Sequence, residues 1–198
     1  MGHLIYAAIG SLDGFIADKD GDFSFCRPSA EMHAYLNARD RRVSADLYGR
    51  RLYQVMQFWE TFAVAGEEIS PGAASDPLFE VSRAYGELWR GRDKVVFSTT
   101  LDDVDTARTG LVNHFSPAAV RQFVDDQPGD VSIGGPTLAA QALRAGIVDR
   151  IEYYAFPVVI GAGTHWLPAE WRHELRLIEE HRFLSGVVHT AYEVARSG

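Results

Sequence analysis

Short apolar runs in this chain repeatedly stop at a glycine or a hydroxyl residue and pass straight into a stretch with helical spacing. Val131-Ser132-Ile133 runs into Gly134-Gly135-Pro136-Thr137 and then a helix to Ala145. Leu47-Tyr48 turns at Gly49 into a helix continuing towards Trp59, and Lys94-Val95-Val96-Phe97-Ser98-Thr99 is a β-branched, aromatic strand ending in hydroxyls. Strands alternating with helices call for a mainly parallel sheet covered on both faces, because each crossover helix must bury its apolar stripe. Ligands of such sheets bind beyond the carboxyl ends of the strands, so the turns after Tyr48, Phe97 and Ile133 are expected to face one cleft.

The rest of the chain fits the same alternation. Leu4 to Ile9, closed by Gly10, suits a strand buried on both faces. Pro28 and Ser29 mark a helix start, with Met32, Tyr35, Leu36 and Val43 at helical spacing. Leu78, Ser82, Tyr85 and Trp89 mark another helix, preceded by a surface loop from Ser70 to Asp76 that has no periodicity. A short strand is expected near Val112 to Phe115, a helix from Pro117 through Phe123, and a strand from Ile151 to Val159. Glu174 to Glu180 and Val187 to Val194 alternate around Ser185-Gly186 as an antiparallel hairpin. The expected fold is α/β, with a mixed sheet, mainly parallel in the middle and antiparallel at one edge, in a single domain over residues 1–198.

Composition narrows the function classes. The chain has 198 residues, 46% hydrophobic and 23% charged, which excludes intrinsic disorder. Its 19 Lys and Arg against 27 Asp and Glu leave a net charge of −8, unsuited to general neutralisation of nucleic-acid phosphates. No apolar run approaches the roughly 20 residues that span a bilayer. The start of the chain lacks the basic and apolar segments of a secretory signal, and a lone Cys26 permits no internal disulfide, so a cytoplasmic protein is expected.

Two of the turns carry chemistry of their own. Gly134 and Gly135 have no Cβ and let backbone N–H groups approach a diphosphate, with the positive end of the following helix behind them. A glycine pair alone equally suits a tight turn with no ligand. Neither the six-residue glycine fingerprint nor a Walker lysine motif is present. Arg50 and Arg51 after Gly49 place two cations at a helix start, where they oppose the helix dipole; a bound phosphate would account for them, as would simple exposure to solvent.

Six segments occur in order: Ser11-Leu12-Asp13-Gly14-Phe15-Ile16-Ala17, Gly49-Arg50-Arg51-Leu52-Tyr53, Lys94-Val95-Val96-Phe97-Ser98, Ile133-Gly134-Gly135-Pro136-Thr137-Leu138, Gly146-Ile147-Val148-Asp149-Arg150, and Pro157-Val158-Val159-Ile160-Gly161-Ala162-Gly163. From about Leu4 to Val194 the chain resembles the dihydrofolate reductase-like family, in the branch containing the reductase domain of the riboflavin-biosynthesis deaminase-reductase. The resemblance implies a three-layer dihydrofolate reductase-like sandwich that binds NADPH. Gly49, Arg50, Arg51, Ser98 and Thr99 would hold the adenosine end, with Arg50 and Thr99 closest to the 2′-phosphate. Gly134, Gly135, Thr137 and Leu138 would cradle the diphosphate, and backbone at Ile9 and Ile16 would meet the nicotinamide carboxamide, with the Ser11 to Ala17 loop closing over the ring.

The substrate side transfers less well. Dihydrofolate reductases hold the pterin with an acid early in the first helix, and Glu31 is the nearest candidate, about one residue out of register; a solvated first-turn glutamate is its other reading. Asp13 is the acid of the first segment, or else a turn residue. Hydride transfer needs no protein nucleophile but does need a proton, from an acid or from a water that an acid orders. The expected activity is reduction of a small pyrimidine- or pterin-class heterocycle, similar to 5-amino-6-(5-phosphoribosylamino)uracil reductase, without the zinc-binding motif of the deaminase half. A dihydrofolate or pteridine reductase and a non-catalytic nucleotide-binding module are the alternatives, and a homodimer is the implied assembly. Trp59, Trp89, Phe58 and Tyr85 are expected in or at the edge of the core, and His33 packs there or touches substrate. His165, His173, His181 and His189 form no ligand-type cluster, so no metal is expected.

Overall fold

In the computed structural model, which describes residues 2–64 and 75–195, the strand-to-helix alternation is realised around an eight-stranded sheet. The elements are β1 (Leu4–Ser11), β2 (Phe15–Ala17), a single 3-10 turn (Ser24–Cys26), α1 (Ala30–Asp40), β3 (Val43–Gly49), α2 (Arg50–Met56), α3 (Phe58–Thr61) and α4 (Pro77–Gly91). They continue as β4 (Asp93–Phe97), β5 (Thr109–Val112), α5 (Pro117–Asp126), β6 (Asp130–Gly134), α6 (Pro136–Arg144), β7 (Arg150–Phe156), β8 (Thr164–His165), β9 (Leu175–Arg182) and β10 (Val188–Val194). The sheet runs β5-β4-β3-β6-β1-β7-β10-β9. All its pairings are parallel except those of β10, which lies antiparallel to β7 and β9. No helix among the described residues is long and apolar enough to cross a membrane.

Alternation along each strand divides the core into two layers. Leu4 and Tyr6 of β1, Ala45 and Leu47 of β3 and Val131 and Ile133 of β6 pack against Val120 and Val124 of α5 and Leu138, Ala139, Ala142 and Leu143 of α6. On the opposite face Met32 of α1 meets Cys26, Tyr154, Phe156 and Phe183, while Tyr48, Tyr53, Trp89 and Val96 gather under α2 and α4. The result is the three-layer mixed sandwich expected from the sequence, with its antiparallel strands at one edge.

Local chemistry explains the helix starts. The Ser29 hydroxyl oxygen accepts from the Met32 N–H at 3.2 Å, and the Asp76 carboxylate from Leu78 N–H at 2.8 Å. Ser116 caps α5 through the Ala119 N–H at 3.4 Å, with Pro117 in the first helical position, where no N–H is needed.

Several boundaries differ from the sequence reading. Val43 opens β3 rather than continuing α1, which ends at Asp40. The strand near Val112 lies earlier, at Thr109–Val112, where it can pair with Lys94 to Phe97. Beyond Phe156 and Phe97 the chain leaves the sheet, so β7 and β4 are shorter than expected. The helix after Gly49 breaks at Gln57, and Phe58 is 57% exposed, whereas Trp89 is fully buried. Of the expected loop from Ser70 to Asp76, residues 70–74 lie outside the described residues.

Candidate functional site

The adjacency of β4, β3 and β6 brings the three turns to neighbouring positions. Gly49 is in register with Phe97 on one side, and Tyr48 with Gly134 on the other. A Cβ on Gly135 would lie 3.7 Å from the Gly49 nitrogen, so the two glycine turns touch. Gly135 has φ +91°, outside what L side chains tolerate, and this lets β6 turn directly into α6. At Gly134 a Cβ would collide with Leu52 of α2, so that glycine is required by helix packing.

Helices α2 and α6 both start here without a side-chain cap, in contrast to α1, α4 and α5. Their first N–H groups therefore point beyond the strand ends with no side-chain acceptor of their own. Arg50 and Arg51 are exposed beside them, with no ion pair among the described residues. Thr99 is exposed, whereas the Ser98 hydroxyl oxygen accepts from the N–H groups of Thr100 and Leu101 at 3.1 Å each and shapes the third turn. Leu138 is a core residue under Gly49, and Thr137 is exposed at the start of α6. Two open helix ends with two cations make a donor set suited to a polyanion such as a dinucleotide phosphate chain.

Strand β1 supplies the floor. It lies centrally between β6 and β7, yet Ala7 is exposed and Ile9 only half-buried, so the helices above leave a gap over its carboxyl half. This departs from the expectation of burial on both faces. Alternation puts Ala7 and Ile9 on the α1 side, opposite Tyr6, and Ala7 is in register with Glu152 of β7.

The Ser11 to Ala17 segment folds back against the carboxyl end of β1 on the face of Tyr6 and Gly10, opposite that gap. A Cβ on Gly10 would lie 2.6 Å from the Phe15 carbonyl oxygen, so Ile16 is brought back near the end of the strand holding Ile9. β2 pairs with β8, the Leu12 N–H donates to the Val158 carbonyl at 2.8 Å, and the Phe15 ring lies 4.1 Å from that of His165. The Tyr153 hydroxyl donates to the Ser11 carbonyl at 2.6 Å. Two-residue β8 has no signal in the sequence, and neither has the hold of Tyr153 on the loop.

The two candidate acids are not brought together. Asp13 accepts from Gly161 N–H at 2.8 Å and Ile160 N–H at 3.3 Å. The Ser11 hydroxyl, and after it these N–H groups, hold its carboxyl below the usual range, so it is an ionised tie between loops. Glu31 accepts from the Leu184 N–H at 3.2 Å, in the turn between β9 and β10. His33 packs edge-on against Trp59 and Tyr85 at 6.0 and 5.8 Å, and burial lowers its pKa, which keeps it neutral. Among the described residues no group of three potential metal ligands occurs.

Comparison with known proteins agrees with this architecture. Uncharacterized protein YyaP of Bacillus subtilis (strain 168) is 27% identical over 189 residues, covering 92% of this chain and 89% of that protein. The crystal structure of a putative riboflavin biosynthesis protein from Shewanella sp. PV-4 superposes with a TM-score of 0.70 at 20% identity, over 98% of this chain and 99% of that one. Dihydrofolate reductase from Enterococcus faecalis, complexed with NADP(H), gives 0.60 at 11% identity over 98% and 96% of the two chains. The fold is thus dihydrofolate reductase-like, and with residues 2–188 matching the RibD C-terminal domain, the chain belongs to that family.

Proposed function

We propose that the chain is an NADPH-dependent reductase of a small heterocyclic substrate, similar to 5-amino-6-(5-phosphoribosylamino)uracil reductase and acting in the cytoplasm. The observation that carries this reading is the meeting of two uncapped helix ends at Gly49 and Gly135, with Arg50 and Arg51 alongside. Gly135 and the first N–H groups of α6 at Thr137 and Leu138 would hold the diphosphate. Arg50, Arg51 and Thr99 would take the adenosine end and its 2′-phosphate, with Ser98 shaping that turn, and backbone at Ile9 and Ile16 would meet the carboxamide.

NADPH bound there supplies a hydride. The chain's own part is to place the ring at the carboxyl end of β1, between Ile9 and Ile16, and to exclude water with the returning loop 11–17. Asp13 contributes by tying that loop to Ile160 and Gly161. Its lowered pKa makes it a poor proton donor, so Glu31, released from Leu184, or a water would deliver the proton.

A second reading, a nucleotide-binding module without turnover, is favoured by one observation: both acids are engaged by backbone N–H groups. Fluorescence titration with NADPH and NADH, followed by NADPH oxidation over pyrimidine and pterin substrates, separates the two. NADPH is expected to bind more tightly than NADH, and Arg50→Ala to weaken NADPH alone by about 10- to 100-fold, the value of a charge-assisted contact of about 1.5–3 kcal/mol. Equal affinities, or no binding, would overturn the cofactor assignment; binding without oxidation would leave the module.

The assembly in this reading is a homodimer. β9 is the outermost strand, with unpaired backbone on its free side, and Leu177 and Ile178 on it are 47% and 37% exposed. A second copy of the same strand would cover both.

A further inference from the structure

The cofactor reading uses only the carboxyl ends of the strands. At the opposite end, the starts of β1, β3, β6 and β7 frame a hollow of about 630 Å³. A seven-residue strand such as β3 separates the two ends by roughly 20 Å, so this is a different place from the cleft.

Three arginines, Arg41, Arg42 and Arg150, line this hollow. The chain as a whole is acidic, yet among the described residues no carboxylate lies within ion-pair distance of any of them. Other arginines next to the core, Arg39, Arg92 and Arg121, are each held by two carboxylates.

Among the described residues the one acid lining the hollow, Asp130, is already engaged. Oδ1 of Asp130 accepts from the backbone N–H of His3 at 2.9 Å and lies 3.2 Å from its Nδ1. Nη2 of Arg150 lies 3.3 Å from Nε2 of the same imidazole. The Arg150 Nε is sealed from solvent and has no hydrogen-bond partner. A half-buried guanidinium whose only side-chain partner among the described residues is an imidazole nitrogen is costly in isolation, and an anion in the hollow would offset that through its Nη groups.

The two exposed arginines leave from a rigid corner. The Arg41 N–H donates to Asn37 O at the end of α1, and Arg42 O accepts from Asp130 N–H at 2.9 Å, which fixes the corner to β6. Side chains launched from a fixed backbone lose less freedom when they close on a ligand. The termination of α1 accounts for one cation by itself, since the helix dipole favours it there, but not for Arg42 beyond the end nor for Arg150 across the hollow.

We propose that this hollow is a second binding site, for a small phosphorylated compound carrying more than one negative charge. Guanidinium forks match phosphate oxygens in pairs, and the volume admits a ligand of nucleotide size. The proposal stands independently of the cofactor reading.

The test is calorimetric titration of inorganic pyrophosphate into the full chain and into two double variants, Arg41→Ala/Arg42→Ala and Arg50→Ala/Arg51→Ala. All four side chains are exposed, so both variants are expected to melt within about 1 °C of the parent. The basal site predicts a binding event that weakens about tenfold or more in the first variant and persists in the second, in which only an event at the carboxyl ends of the strands is expected to be lost. Arg150→Gln is expected to weaken it as well. No heat of binding, an equal loss in both double variants, or a loss confined to the Arg50/Arg51 variant would each overturn the proposal.

Discussion

Individual residues decide whether the cleft can exist at all. Gly135 combines a positive φ with contact against Gly49, so any side chain there strains the turn that launches α6. Gly135→Ala is expected to cost about 2 kcal/mol, lowering Tm by roughly 6 °C, and to weaken dinucleotide binding; a melting curve and a titration check both. The need for glycine was legible in the sequence, because no other residue enters that conformation cheaply. The orientation of Glu31 was not. Its partner, Leu184, lies 153 positions away, and only the bend between β9 and β10 brings that N–H within reach.

At the level of elements, α1 is pinned to the sheet by a buried ionic network. Arg39 donates to Glu152 of β7 and Glu179 of β9, each at 2.7 Å, and fully buried His189 of β10 lies 3.3 Å from Glu152. Burial alone would raise the Glu152 pKa; hydrogen bonds from His189 and Arg39 outweigh it and bring it down to about 2. A depressed carboxylate pKa stabilises the fold above the unfolded value, near 4.5. This contribution, about 3 kcal/mol, is expected to be lost as pH falls from about 4.5 towards 2, which stability measured across that range checks. Glu152→Gln leaves Arg39 uncompensated on that side and is expected to cost about 3–5 kcal/mol, read from denaturant unfolding. The even spacing of His165, His173, His181 and His189 told nothing of this, since periodicity along a chain does not record partners on other strands.

Across the whole molecule, the eight-stranded sheet has a phosphate-suited end at its carboxyl side and an arginine-lined hollow at the other, with β9 as an open edge. Leu177→Lys should convert the inferred dimer to monomer in sedimentation while changing chain stability by less than about 0.5 kcal/mol, because that side chain is half exposed in the single chain. A parent that already sediments as a monomer would remove the dimer. The amino-acid sequence by itself determined the order of the main-sheet strands and the longer helices and the turns where the chain must reverse, because periodicity, capping residues and glycine act over a few positions. Only tertiary structure decided which turns adjoin, which acids are tied to backbone, that Ala7 lies open in mid-sheet, and where cations remain without counter-charges. Those features depend on strand pairing between segments tens to more than a hundred residues apart, and strand order is an outcome of burying both sheet faces at once.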